Sequence, residues 1–286
     1  MKLQAVVVLY KQEIAKSKTI VSLYDQIRHS NIDIRLLIYD NSPSSQNCEH
    51  PIINIVSVAY VHDPTNGGLV PAYNQGLLLA KDNGADWLLL LDQDTALTSH
   101  YFETLASALY EHGEDARIAA YAPHIIVREK CVTPCWFSMG IHRTIKASWH
   151  GLAINPITGI NSATVVRVSF LDTIGGFDLT FPLNFTDYWL YREIYRNGKV
   201  VMVLNSSLSH ELSSANRDTF RPVSQYRDVL HHEGIFYRSS RSRVVIFVFW
   251  SRLILRAIKH YLVFKNKGYS EAALSYICRE LIFKSK

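Results

Sequence analysis

Short hydrophobic runs recur through the first two hundred residues, and turn clusters or amphipathic stretches separate them. A short, fully apolar run is typical of a strand buried on both faces of a parallel sheet. The pattern predicts strands over residues 3–9, 34–39, 56–61 and 87–91, and helices over 13–29 and 70–82. This alternation with short loops predicts an α/β fold, in which helices flank a mostly parallel sheet.

The second half of the chain changes character twice. Residues 118–170 are strand-rich and mixed, and a turn at Gly175-Gly176 leads to a predicted helix over 186–197. A strand that starts with residues 199–204 follows and is predicted to end near His210. Residues 217–286 hold 14 Lys/Arg and 5 Asp/Glu, a net charge of +9, whereas residues 1–216 hold 16 and 20, a net charge of −4. We therefore predict one large domain over residues 1–216 and a basic, amphipathic helical C-terminal region over residues 217–286. The opposite net charges indicate that the two parts bind different partners.

The basic region carries an apolar run, Val244–Trp250, followed by Arg252, Arg256 and Lys259 among leucines and isoleucines. Cations interleaved with an apolar face are typical of a helix that lies at a membrane interface. The pattern predicts peripheral contact with an anionic membrane surface. A homodimer contact or a core-covering helix is the open alternative. Nucleic acid is disfavoured as a partner because no nucleic-acid motif is present.

The sequence also indicates a compartment. No run approaches the ~18–20 apolar residues of a membrane span, and the apolar start of the chain is better interpreted as a first strand than as a signal peptide. The four cysteines have no metal or redox spacing, which suits a reducing environment. We expect a cytoplasmic protein at the inner face of the cell membrane.

Two carboxylates follow the predicted strand 87–91 at once, as Asp92 and Asp94. Side chains in a strand alternate faces, so positions 92 and 94 point the same way, at the carboxyl end of the strand, where open α/β sheets bind ligands. Like charges so close need a counter-ion, and a divalent cation with oxygen ligands is the natural one, usually arriving with phosphates. The alternative is an ordinary polar turn after a strand.

Other candidate residues lie at the ends of predicted elements. Asp40 ends the second strand, where a carboxylate can accept hydrogen bonds from a ribose or a base, or can simply stabilise a turn. Asp187 opens the helix 186–197 and is either a helix-dipole partner or a general base. His210 follows the last strand and is either an ordinary surface or core histidine or an imidazole ligand for a manganese-like ion. The adjacent pair His231-His232 is interpreted as solvated.

Glycines and asparagines mark one more candidate region. Asn66-Gly67-Gly68 precedes a helix that contains Asn74 and Gly76. Glycine lets the backbone approach a ligand closely, and a helix N-terminus favours negative charge. Taken alone, the segment fits an ordinary tight loop equally well.

Together, in this order, these segments resemble the inverting glycosyltransferases of family 2, which have the GT-A fold. The motifs that carry the resemblance are the first strand ending in Val6-Val7-Val8-Leu9-Tyr10, Tyr39-Asp40-Asn41-Ser42, Asn66-Gly67-Gly68 with Asn74-Gln75-Gly76, Leu91-Asp92-Gln93-Asp94, Thr158-Gly159, Gly175-Gly176-Phe177-Asp178, Asp187 and His210. The Asp-Gln-Asp variant and the stretch Phe236–Arg241 are similar to those of polysaccharide and O-antigen rhamnosyltransferases. Thr186 departs from that subgroup, which commonly has an acid at this position.

The resemblance implies a role for each motif. It implies that a nucleotide sugar is bound by Tyr10, Asp40, Asn66, Gly67, Asn74, Asp92 and Gly159, with Gly176 and Phe177 on the acceptor side. It implies that Asp94, His210 and Asp92 hold Mg²⁺ or Mn²⁺ and that Asp187 is the catalytic base.

The function implied is transfer of L-rhamnose from dTDP-L-rhamnose to a growing, lipid-linked surface polysaccharide. Three alternatives stay open: another donor such as UDP-galactofuranose or a UDP-hexose, a nucleotidyltransferase, and a glycan- or nucleotide-sugar-binding module without catalysis. The nucleotidyltransferase is disfavoured because Leu9-Tyr10-Lys11-Gln12-Glu13 lacks a glycine-rich loop for a triphosphate.

Overall fold

The computed structural model describes residues 2–27, 33–46, 58–209, 222–240 and 242–282. Its contacts divide the chain into two units, Met1–Trp136 with Arg143–Glu211 and Phe137–His142 with Leu212–Lys286. The predicted boundary between residues 216 and 217 lies outside the described residues and stays a prediction. Nothing in the sequence indicates that Phe137–His142 groups with the C-terminal unit.

A central sheet forms the body of the first unit, in the order β3-β2-β1-β4-β11-β5-β12-β9, with β6 paired to β5. A small second sheet has the order β10-β7-β8. The strands are β1 Lys2–Leu9, β2 Asp33–Asp40, β3 Val58–His62, β4 Trp87–Leu91, β5 Ile118–Val127, β6 Lys130–Thr133, β7 Cys135–Ser138, β8 Ile141–Thr144, β9 Gly151–Ala153, β10 Ile157–Thr158, β11 Thr164–Arg167 and β12 Val200–Ser209.

Helices connect and cover these strands. They are α1 Lys18–Ile27, α2 Leu69–Asp82, α3 Ser99–His112, α4 Val168–Thr173 and α5 Thr186–Arg196, followed in the second unit by α6 Val223–Arg238, α7 Arg243–Val263 and α8 Gly268–Ile282. Gly76 brings α2 close to the sheet, because a Cβ at this position would collide with the Val6 side chain of β1.

The predicted α/β fold with a helix-flanked sheet is confirmed. Neighbouring strands from β3 to β4 are parallel, as are β5 and β12. The five residues of β4 are all buried, as a strand covered on both faces requires. One antiparallel strand, β11, lies between β4 and β5, and it brings the loop before Thr164 to the carboxyl end of β4.

The ends of elements agree with the sequence only in part, and one helix was missed. The predicted helix 13–29 begins as a 3₁₀ turn over Ile14–Lys16, and α1 starts only at Lys18. Helix α3 was not predicted, although Thr98 caps it by accepting the Tyr101 backbone N–H at 3.2 Å. Strand β12 ends at Ser209, which confirms the predicted end near His210.

In the second unit, helices α6, α7 and α8 pack against one another. Tyr237 of α6 stacks on Phe249 of α7, with ring centroids 5.1 Å apart. Ion pairs Arg238–Glu280 and Arg256–Glu233 add contacts between the helices. Across the residues that the structure describes, no helix is both long enough and apolar enough to cross a bilayer.

Candidate active site at the carboxyl end of the sheet

The aspartates after β4 lie in a turn. Strand β4 ends at Leu91, and the residues that follow, Gln93 and Asp94, form a turn. Strand β4 therefore does not continue through Asp92 and Asp94, and the shared direction of their side chains stays a prediction. The two carboxylates stay close in the chain. Their relative position therefore depends on the hydrogen bonds that fix this turn.

One buried threonine of α1 holds this turn. The Thr19 hydroxyl donates to the carbonyl oxygens of Asp92 at 2.5 Å and Thr95 at 3.0 Å, and it accepts the Thr95 backbone N–H at 2.9 Å. From the other side, the Ser162 hydroxyl accepts the Asp92 backbone N–H at 3.3 Å and pairs with the Thr95 hydroxyl at 2.6 Å. Thr19 and Ser162 are both fully buried. Sequence reasoning missed both, because an isolated Thr or Ser gives no signal.

The middle residue of the Asp-Gln-Asp motif has a structural task. The Gln93 side-chain oxygen accepts the Tyr10 backbone N–H at 2.8 Å, and the Gln93 carbonyl accepts the Ser17 hydroxyl at 2.8 Å. The residue thereby ties the end of β1 to the turn after β4. Tyr10 itself is exposed, with its ring beside the Lys11 ammonium, so its side chain is accessible to a ligand.

Asp40, at the end of β2, is completely buried and hydrogen-bonded. One carboxylate oxygen accepts the Ser42 backbone N–H at 2.9 Å, and the other accepts the Tyr60 hydroxyl at 2.8 Å and the Gln46 amide at 2.9 Å. The carboxylate thus organises its own loop in this structure. Its predicted contact with a nucleotide stays a prediction.

The loop before α2 is joined to the loop before α5. The first two backbone N–H groups of α2, on Leu69 and Val70, donate to the Pro182 carbonyl at 2.6 and 3.2 Å. Gly68 has φ +90°, and a Cβ there would collide with the same carbonyl. The N-terminus of α2, which the sequence suggested as an anion site, therefore donates its first two backbone N–H groups to a carbonyl of the protein itself. Asn66 is exposed, with φ 52°, and Gly67 is half-buried beside Pro71.

Asn74 fastens the Gly-Gly-Phe segment to α2. Its amide oxygen accepts the Phe177 backbone N–H at 2.8 Å, and its amide nitrogen donates to the Phe177 carbonyl at 3.0 Å. A Cβ on Gly176 would lie 2.7 Å from the Asn74 oxygen, so the fit requires glycine there, also because its φ is +83°. Both polar atoms of Asn74 are engaged with Phe177 in this structure.

Asp187 opens α5 next to a strained residue. Phe185, at the N-cap position, has φ 68°, which is uncommon for a residue with a side chain. The half-buried Asp187 carboxylate accepts the Tyr188 backbone N–H at 2.9 Å. Desolvation raises the pKa of this carboxyl to about 6, against a smaller opposing effect from backbone hydrogen bonds. A carboxylate with a pKa near neutrality is suited to general-base chemistry.

Asp92 and Asp187 lie near the same buried hydroxyl. Burial raises the pKa of the Tyr73 phenol, and the negative charges of Asp92 and then Asp187 raise it further. The turn after β4 and the start of α5 thus converge around Tyr73 of α2. No sequence motif singled out Tyr73, because a tyrosine on an apolar helix face is usually a core residue.

Gly159 lies against the same helix as Asp187. A Cβ on Gly159 would lie 2.6 Å from the Tyr191 hydroxyl, one turn along α5 from Asp187. The Tyr191 hydroxyl pairs with the Thr164 hydroxyl at 3.4 Å. Asn161 lies between Gly159 and Thr164 in the chain. Its side-chain amide is buried and has no hydrogen-bond partner among the described residues.

The predicted metal ligands are only partly within the described chain. His210 lies outside the described residues, and in the described ranges no group of three His, Cys, Asp or Glu side chains gathers around one point. Asp92 and Asp94 supply the hard oxygen donors that Mg²⁺ and Mn²⁺ prefer. The donor chemistry fits such an ion, with further ligands required from elsewhere.

Comparison with solved structures gives the same fold. The complex of S. aureus TarS 1–349 with UDP superposes with a TM-score of 0.60 at 16% identity, covering 99% of this chain and 82% of that one. The mannosyltransferase PcManGT from Pyrobaculum calidifontis, in complex with GDP-Man and Mn2+, gives 0.55 at 11%, covering 99% and 88%. The chain spans 55% of the longer S. aureus TarS structure.

The family follows from the sequence comparison. No curated protein matches the chain. The model of "Glycosyl transferase family 2" matches residues 5–173, which is more than half of the chain and includes Asp40, Asp92 and Asp94. The match ends before Asp187. The chain belongs to glycosyl transferase family 2, and it is a glycosyltransferase with a GT-A fold.

Proposed function

We propose that this chain is an inverting, metal-dependent glycosyltransferase that moves L-rhamnose from dTDP-L-rhamnose to a lipid-linked surface glycan. The observation that carries the catalytic part is Asp187, a carboxyl with a pKa of about 6 that lies with Asp92 around Tyr73. The choice of rhamnose is supported by the resemblance of the Asp92-Gln93-Asp94 motif and the stretch Phe236–Arg241 to rhamnosyltransferases.

The proposed reaction is a single displacement. The Asp187 carboxylate takes the proton from an acceptor hydroxyl, whose oxygen forms a bond to the anomeric carbon. The bond from that carbon to the diphosphate breaks at the same time, and the nucleoside diphosphate leaves with the electron pair. The configuration inverts, so a β-L donor gives an α-L product, and no covalent enzyme intermediate is formed.

Asp94, Asp92 and His210 are the proposed ligands of Mg²⁺ or Mn²⁺. A bound cation would offset the negative charge that develops on the departing diphosphate. Tyr10, Asn66, Gly67 and Gly159 are proposed on the donor side. Of these residues, Tyr10 and Asn66 are exposed. Gly176 and Phe177 are proposed on the acceptor side.

A donor panel tests this proposal. The full chain is incubated with dTDP-L-rhamnose, UDP-galactofuranose, UDP-GlcNAc and GDP-mannose, with Mn²⁺ or with EDTA, and release of nucleoside diphosphate and sugar transfer are measured. The melting temperature with each donor is measured as well. We expect the largest rise in melting temperature and the most sugar transfer with dTDP-L-rhamnose and Mn²⁺. Transfer of another sugar would replace the donor, and binding of a donor without any transfer would favour the non-catalytic module.

A second part of the proposal concerns the basic helical unit. One face of α7 exposes a line of large apolar side chains at helical spacing: Val244, Phe247, Ile254, Leu255, Ile258, Tyr261 and Leu262. Phe247 is 71% exposed and Leu262 is 74% exposed, whereas Phe249, Leu253 and Ala257 on the opposite face are buried. The helix is therefore already seated on one side and has an apolar surface on the other.

The charges around this face favour an anionic membrane surface as its occupant. Exposed Arg252 and Lys259 flank the apolar line, and Lys265 and Lys267 follow it. Each basic residue close to an anionic leaflet contributes about 1 kcal/mol. A helix with this arrangement lies in the interface plane, where a lipid-linked acceptor is presented.

Vesicle binding tests the membrane contact. We expect the chain to co-sediment with phosphatidylglycerol-containing vesicles in a salt-sensitive way and to be lost from them in the double variant F247E/L255E. Leu274→Glu on α8, which changes another exposed leucine of the same unit, is the control and should keep binding. Equal binding by both variants would exclude this face, and concentration-dependent dimers without vesicle binding would favour a second copy.

A further inference from the structure

The hydroxyl of Tyr73 is a buried polar group whose role the packing of the described residues does not explain. The residue is fully buried, and within the described part of the chain its hydroxyl has no hydrogen-bond partner. Leaving a buried hydroxyl unpaired costs about 1–3 kcal/mol, and native proteins contain few such groups. A phenylalanine would fill the same space without this cost, so the hydroxyl needs an explanation.

The position of Tyr73 on α2 directs it to the catalytic edge of the sheet. Gly76, one turn later on the same helix face, packs directly on Val6 of β1 and beside Leu88 of β4. Helix α2 follows β3 and begins at the carboxyl end of the parallel strands, so Tyr73 lies nearer to that end than Gly76 does. Asp92 comes directly after β4 at this end.

Aromatic contacts connect Tyr73 with the start of α5. Its ring lies 5.1 Å from the Phe177 ring, and Phe177 lies 5.9 Å from Trp189, two residues after Asp187. The charges of Asp92 and Asp187 both act on the phenol, whose pKa they raise beyond the effect of burial. The hydroxyl stays protonated at neutral pH and is therefore available as a donor between two carboxylates.

Asp187 is the carboxylate that can accept a hydrogen bond from the Tyr73 hydroxyl. Its Oδ1 accepts the Tyr188 backbone N–H, and no side chain among the described residues is hydrogen-bonded to Asp187. The other phenol near it, Tyr191, is already paired with Thr164. In the described ranges, the negative charge of Asp187 raises the pKa of two phenols, Tyr73 of α2 and Tyr191 of α5, and the charge of Asp92 acts on Tyr73 as well.

We propose that the Tyr73 hydroxyl donates a hydrogen bond to the ionised Asp187 carboxylate during the catalytic cycle and orients it toward the acceptor hydroxyl. This inference rests on the proposed function, in which Asp187 is the base. Tyr73 is a positioning residue in this scheme, because it acts on the reaction only through Asp187. A donor to the ionised form also favours that form over the protonated one.

The test compares two tyrosine-to-phenylalanine variants of the full chain. Tyr73→Phe removes one oxygen and keeps the packing. Tyr121→Phe is the matched control, since Tyr121 is also fully buried with an unpartnered hydroxyl, but the charges that act on it are those of Arg167 and Asp115. Donor turnover as a function of pH and a carbon-13 NMR titration of the Asp187 carboxyl are measured for wild type and both variants.

We expect Tyr73→Phe to lower kcat about tenfold with little change in the donor KM, and to raise the apparent pKa of Asp187 in both measurements. Tyr121→Phe should match wild type. An unchanged titration and kcat in Tyr73→Phe would overturn the inference. The NMR titration does not depend on turnover, so it decides the role of Tyr73 even if wild type transfers no sugar, a result that would overturn the proposed function instead.

Discussion

Asp40 and Asp187 lie at the same edge of the sheet, and their surroundings differ in almost every respect. Asp40 is fully buried, yet three donors from Ser42, Gln46 and Tyr60 satisfy its charge. Within the described ranges, Asp187 accepts only backbone N–H groups, and desolvation raises its pKa to about 6. The difference teaches that burial alone does not make a carboxylate reactive. Asp40 is stabilised by hydrogen bonds from protein donors and holds a loop, whereas Asp187 has fewer donors and is suited to take a proton.

The sharpest way to break this comparison is to neutralise Asp187. We expect Asp187→Asn to lower kcat by about 10²–10⁴-fold, the usual contribution of a general base, while donor binding remains. Steady-state kinetics with calorimetric donor titration measures both quantities. Wild-type turnover in this variant would remove Asp187 from the mechanism.

The complementary change is made at Asp40. We expect Asp40→Ala to lower the free energy of unfolding by about 3 kcal/mol, because it leaves buried donors on Ser42, Gln46 and Tyr60 without an acceptor. Urea unfolding followed by tryptophan fluorescence measures the loss. If Asp40→Ala is as stable as wild type but no longer binds donor, Asp40 has the ligand-binding role that the family resemblance implies.

The pH dependence of stability sharpens the contrast. The pKa of Asp187 is about 6 in the folded state, above the roughly 3.9 of an unfolded aspartate, so the folded chain binds more protons between those values. The contribution of Asp187 is therefore most favourable below pH 4 and is lost as the pH rises to 6, by at most ~1.4 kcal/mol per pH unit. The difference in unfolding free energy between wild type and Asp187→Asn, measured across this range, should show this slope.

The smallest effect is expected at Asn74. Its amide makes two hydrogen bonds with the Phe177 backbone, and each net contribution is about 0.5–1.5 kcal/mol. We expect Asn74→Ala to lower the free energy of unfolding by about 1–2 kcal/mol and to raise the acceptor KM more than the donor KM. A selective loss of donor affinity would instead support the predicted donor contact.

The sequence was sufficient for features that depend on local patterns. Five consecutive apolar residues predicted β4, and Thr186–Arg196 forms the predicted helix. A strand was expected to run on through Asp92 and Asp94, but it ends at Leu91, and Thr19 holds the turn there through contacts between residues more than 70 positions apart. Tyr73 and Ser162 were missed for the same reason: their importance comes from what the fold places beside them.

Gln93 limits how donor choice could be redesigned. Exchanging the central residue of the Asp-Gln-Asp motif to copy another family member would also release the Tyr10 backbone, which its side chain holds. Attempts to re-engineer sugar preference should therefore leave this glutamine in place and vary exposed positions such as Asn66.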